Sequence, residues 1–118
     1  MKQGEIVLGC KSLDKILGLD IPFSLKAKVY RFRKLFQTQW EFQLEQEQDI
    51  MDKAEHDESG KLEPQEVRKI NKKLFELSNT EVDMQFDKLV IETSEDTEAL
   101  KALNGDDFKA LDEFVEWR

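Results

Sequence analysis

The chain has 118 residues but only one cysteine, one histidine, two prolines and five glycines. A lone Cys10 excludes an intrachain disulfide and fits a reducing cytosolic compartment. So few prolines and glycines leave no room for a long flexible linker, and one domain over residues 1–118 is expected. No apolar run exceeds three residues, the longest being Ile6–Leu8 and Leu89–Ile91, so no segment is expected to span a bilayer or act as a signal peptide. The sequence also lacks a glycine-rich phosphate loop, a nucleophile elbow and the paired Cys/His spacing of a metal site. Cys10 with His56 is the one thiol–imidazole combination, and a lone cysteine in an apolar-flanked segment is usually inert. The expectation is a protein that is not an enzyme.

What the chain does have is charge, and the charge is segregated. Acids outnumber bases 26 to 18, for a net charge of −8, while 39% of residues are hydrophobic and eight are Phe. That is too apolar and too aromatic for a disordered chain. Residues 21–36 carry Lys26, Lys28, Arg31, Arg33 and Lys34 and no acid. Residues 41–66 carry ten acids against Lys53 and Lys61, and residues 93–118 carry eight acids against three bases. Such a chain can neutralise itself internally or bind its own kind head to tail.

The apolar pattern predicts an α+β protein, predominantly α. Pro22 suits a first helical turn, with Asp20 upstream as a cap. Leu25, Val29, Phe32, Phe36 and Trp40 then recur at spacings of three and four, which predicts a helix from about Pro22 to about Ala54. Gly60 ends that segment, and Pro64 opens a shorter helix striped by Val67, Ile70, Leu74 and Leu77, antiparallel to the first. Residues 82–92 alternate Val82, Met84 and Phe86 before shifting phase to Leu89 and Ile91, which predicts a strand with a bulge or turn at Asp87-Lys88. Residues 5–8 are expected to pair with it, and a small helix fits 12–18. Short C-terminal helices follow, one capped by Ser94 and ending at Asn104-Gly105, and a last one capped by Asp106 and bearing Phe108, Leu111, Phe114, Val115 and Trp117. The shorter helix covers half of the long one, which leaves Val29, Phe32, Phe36 and Trp40 as a candidate interface.

Residues 55–66 align with a calcium-binding EF-hand loop. Gly60 falls at the sharp turn, Asp57 and Ser59 at the third and fifth ligand positions, Lys61 where a main-chain carbonyl ligates, and Glu66 at the bidentate twelfth position. Glu55 departs from the pattern, because its extra methylene pushes a carboxylate into the space of the ion. No second loop is present to pair with this one. A solvated helix–helix turn explains the same residues more simply, so the expected cofactor set is none, with calcium as the alternative. The basic run 26–34, interleaved with Tyr30 and Phe32, spreads its cations around the helix outside the apolar stripe. A net charge of −8 would repel a polyanion, and nucleic acid is not expected as a partner.

In order along the chain, LDKILG (13–18), LKAKVYRFRKLF (25–36), DESGKL (57–62) and ALDEFVEW (110–117) resemble small proteins of unknown function from tailed bacteriophages and prophages. The resemblance implies a phage accessory protein that acts by binding, in the bacterial cytoplasm or associated with a virion, and implies no catalytic residues. A protein partner is expected, either a second copy or a phage or host protein. An acidic inhibitor that mimics nucleic acid is the alternative from a different class.

Overall fold

The computed structural model describes residues 1–56, 59–92 and 98–118. The expected strand at 5–8 is instead part of α1, Gln3–Leu17, which also absorbs the small helix expected at 12–18. Ile6, Cys10, Leu13 and Ile16 recur at helical spacing and are all fully buried. At its start the Glu5 carboxylate accepts the backbone N–H of Lys2 at 3.1 Å. Gly9 looks like a breaker but faces Phe114, whose ring packs so closely that a Cβ would lie 2.3 Å from it.

The long helix is two helices, α2 (Phe23–Lys34) and α3 (Gln37–Asp52). Neither proline nor glycine marks the break. Leu35 and Phe36 donate to Phe32 and Arg33, the i→i+3 pattern of a tightened turn, and helical bonding resumes with Trp40 N–H to the Phe36 carbonyl. Both helices run antiparallel to α1: Arg33 reaches Asp14 at 3.0 Å, and Gln3 donates to the Gln39 carbonyl at 2.8 Å and to the Gln43 side chain at 3.3 Å. Gln43, which interrupts the apolar stripe in sequence, is buried and paired rather than misplaced.

α4 (Pro64–Ser78) returns alongside α3, as the proline and its apolar stripe predict. Its C-terminal end meets the start of α1, where Gln3 N–H donates to the Thr80 carbonyl at 2.9 Å. The molecule is long, 58 × 30 × 21 Å, with a radius of gyration of 17.5 Å. A compact domain of this length would have a radius of about 13.5 Å. The extension is the α3–α4 hairpin: the main core draws its buried residues from α1, α2, the strands and the C-terminal segment, and none from α3 or α4.

The strand expected over 82–92 is confined to 89–91: residues 82–88 form no regular element, although Val82, Met84 and Phe86 pack against the core as their alternation predicts. Their ladder is minimal. Lys2 and Glu81 form one antiparallel bridge, and Val82 donates to the Met1 carbonyl at 2.8 Å. Strand β1 (Leu89–Ile91) pairs in parallel with β2 (Val115–Trp117), in register Leu89 with Val115 and Ile91 with Trp117. The expected last helix therefore stops early. After a 3₁₀ turn at Glu98–Ala102, α5 covers Gly105–Leu111 and is capped by Asn104 rather than Asp106, with Asn104 and Asp107 bonding each other's backbone reciprocally. Val115 and Trp117 suit a strand, and β1 supplies the backbone partner that a helix end would lack. The cap expected at Ser94 lies outside the described residues.

Phe114, between α5 and β2, closes the core. It lies with Phe32, Phe36 and Phe86 in a four-ring cluster, stacked on Phe86 and edge-on to the other two.

Candidate functional site

Of the four expected interface residues, Val29, Phe32 and Phe36 are buried in the chain's own core. α1 covers the stripe that the sequence leaves open, and the ring cluster completes the cover. Trp40 is half-buried beneath the Arg33 guanidinium, which sits 4.9 Å from its ring centroid. Arg33 is itself buried, pairing with Asp14 at 3.0 Å and reaching Gln37 at 3.3 Å across the helix break. Val29, Phe32 and Phe36 thus serve the chain's own core, and Trp40 packs against its edge.

The other sides of α2 and α3 carry large apolar groups in solvent: Phe23 and Tyr30 on α2, Phe42, Leu44 and Met51 on α3. Phe23 and Tyr30 border a shallow apolar hollow of about 470 Å³ with Leu17, Lys26 and Ala27. Lys26 and Lys34 lie over the Phe23 and Tyr30 rings, at 6.0 and 5.3 Å. On α4, Val67 and Phe75 are also exposed. The periodicity of 25–40 hid this second surface, although Phe23, Tyr30, Leu44 and Met51 stand at regular spacing in the sequence.

The EF-hand-like residues are placed as follows. Asp57 lies outside the described residues. Ser59 and Lys61 flank Gly60, whose φ of +80° supplies the turn that a side chain would resist, and both are exposed. His56 and Leu62 form an antiparallel bridge within the loop, so Leu62 pairs inside its own loop. Glu66 lies in the first turn of α4, 3.7 Å from Lys69. Among the described residues no group of three or more His, Cys, Asp or Glu is placed to hold a metal ion.

A hollow of about 830 Å³ lies between Met1, Glu5, Met84, Gln85, Phe86, Asp87, Lys88 and Glu113, a lining without His, Cys, Ser, Thr or Tyr. Cys10 is buried, and burial pushes its thiol up to about 11, against the opposing charge of Arg33. Among the described residues Asp107 is the one buried carboxylate. Its oxygens accept Lys15 Nζ at 2.6 Å, Ser12 Oγ at 3.0 Å and the Asn104 N–H at 3.1 Å. The Lys15 hydrogen bond first, then the Asn104 bond, hold its pKa below the ordinary carboxylate value. These bonds tie α5 to α1 and are structural.

Among the described residues no helix is long and apolar enough to cross a membrane. Comparison with protein-family models, with curated proteins and with solved structures gives no match.

Proposed function

We propose that this chain is a non-catalytic accessory protein of the kind tailed phages encode, acting by protein–protein contact and self-associating through the α2–α3 rod. It works in the bacterial cytoplasm or on a virion and needs no metal, cofactor, nucleic acid or membrane. One observation carries this reading: large apolar side chains stand in solvent on a rod whose two halves have opposite charge. The elongated shape supports it, because the α3–α4 hairpin extends beyond the core it is not needed to close. Sedimentation equilibrium of the purified chain over a micromolar range tests it. Average mass should rise with concentration and fall back in high salt, where attraction between unlike halves is screened. A monomer at every concentration, at low and high salt, refutes self-association.

The five acids of α3, with no base among them, also suit a decoy that occupies a basic enzyme cleft in place of nucleic acid. That reading requires a heterologous complex that dissolves in high salt, and a partner retained equally at both salts rules it out.

A further inference from the structure

Phe23, Tyr30, Gln37, Leu44 and Met51 stand seven residues apart along the rod. All five are exposed, and the four apolar ones keep 86, 53, 50 and 43% of their surface in solvent. On an α-helix, residues at this spacing line one edge and drift only about 20° per step. At the break between α2 and α3, Leu35 keeps helical dihedrals (φ −60°, ψ −24°) and Phe36 departs from them (φ −104°, ψ 8°), so Phe23 and Tyr30 share an edge of α2, and Gln37, Leu44 and Met51 share an edge of α3.

The row is symmetric about Gln37, with Phe23 and Tyr30 fourteen and seven residues before it and Leu44 and Met51 seven and fourteen after it. Net charge changes sign between the two halves of the rod, on either side of the same residue. α2 carries five cations and no acid, α3 five acids and no cation, and Arg33 is the one cation of α2 that is buried.

Resting on the self-association proposed above, we infer that a second copy covers this row, its rod lying antiparallel about a two-fold axis at Gln37. Phe23 of one copy then meets Met51 of the other, and Tyr30 meets Leu44. Every apolar group in the row finds an apolar partner, and each basic α2 lies on an acidic α3. A parallel pair would set cations on cations and acids on acids, which selects the antiparallel arrangement. The hollow beside Phe23 and Tyr30, bordered by Leu17 and Ala27, receives the flexible Met51 thioether. At the axis Gln37 faces its own copy; within the chain its Oε1 accepts from Arg33 at 3.3 Å and its Nε2 donates to Glu41 at 3.2 Å, which leaves one N–H and one lone pair on each amide for the other. Sliding the pair by one heptad sets that amide against apolar groups, so Gln37 fixes the register. The interface is isologous and closes as a dimer.

Disulfide trapping in the full chain tests both the occupant and its direction. Cys10 can stay, since it is buried. Gln37→Cys should cross-link to itself under mild oxidation. Phe23→Cys alone and Met51→Cys alone should not, because like positions lie about 42 Å apart in the antiparallel pair, far beyond the roughly 7 Å limit of a disulfide. Mixing those two variants should restore the cross-link. Separately, Tyr30→Glu and Leu44→Lys should each raise the dimer dissociation constant about tenfold or more, while circular dichroism of the dilute monomer stays that of the parent. Self-cross-linking of Phe23→Cys overturns the antiparallel direction. Association unchanged by both Tyr30→Glu and Leu44→Lys overturns this face while leaving self-association standing. A chain monomeric throughout overturns both.

Discussion

Glycine in the middle of a helix costs about 1 kcal/mol relative to alanine, so Gly9→Ala in α1 would ordinarily stabilise. Here it should do the opposite. A Cβ at Gly9 would lie 2.3 Å from Phe114 Cε2, 2.6 Å from Cζ and 2.8 Å from Cδ2. Carbon atoms need about 3.5–4.0 Å, so the ring must retreat by more than about 1 Å. It has little freedom to do so, with centroids 5.1 Å from Phe36, 5.6 Å from Phe86 and 6.4 Å from Phe32. Overpacking of this kind costs about 1–3 kcal/mol, and each disturbed ring pair about 0.5–1.5 kcal/mol. Set against the gain in helix propensity, the net loss is about 1–3 kcal/mol. For 118 residues the unfolding entropy is about 250 cal/mol/K, so the melting temperature should fall by about 4–12 °C. Thermal melts of the parent, Gly9→Ala, Phe114→Leu and the double variant measure it. Leucine at 114 removes the ring edge that the new methyl meets, so Gly9→Ala should cost less in that background. A Gly9→Ala chain melting at or above the parent refutes the reasoning.

Three further outcomes are expected. Because the Asp107 pKa is lowered by folding, its contribution is present above the unfolded value of about 4 and is lost as pH falls through the folded value. Asp107→Asn should therefore lower stability at neutral pH and flatten the acid limb of the stability curve, and superimposable acid limbs would contradict the assignment. Cys10, with its thiol at about 11, should resist a thiol reagent at neutral to mildly alkaline pH until the chain unfolds, and prompt labelling of the native protein would show that it is not buried. Millimolar calcium, compared with EDTA and with magnesium, should leave the melting temperature unchanged, since Glu66 already lies near Lys69 and Leu62 pairs within the loop. A calcium-specific rise that Glu66→Gln abolishes would establish the EF-hand reading.

Much of the helical architecture could be read from periodicity. The α3–α4 hairpin follows from Gly60, Pro64 and the stripe Val67, Ile70, Leu74 and Leu77, all local signals. The strands were harder, because β1 and β2 are three residues each and pair in parallel across the whole C-terminal segment. Such a pairing leaves no trace in the periodicity of either segment. Val115 and Trp117 continue the helical spacing of Phe108, Leu111 and Phe114, so only the contact with Leu89–Ile91 reveals them as a strand.

The misplaced interface has a single physical origin at the other end of the chain. Ile6 and Val7 are β-branched and Gly9 follows them, a local pattern that reads as a short strand ending at a breaker. In the folded chain Gly9 is required by the Phe114 ring, a contact 105 residues away in sequence, and the segment is helical. As a helix, α1 covers Val29, Phe32 and Phe36, whereas a strand at 5–8 would leave them open. One local assignment therefore decides which side of the rod faces solvent. With α1 in place, the more hydrophobic stripe serves the core, and the sparser row Phe23, Tyr30, Leu44 and Met51 remains in solvent. Burial by the chain's own elements, rather than hydrophobicity, sorts the two stripes. That is why the variants that separate folding from association are Gly9→Ala on one side and Leu44→Lys on the other: the first should lower the melting temperature without touching the exposed row, the second should weaken association without touching the core.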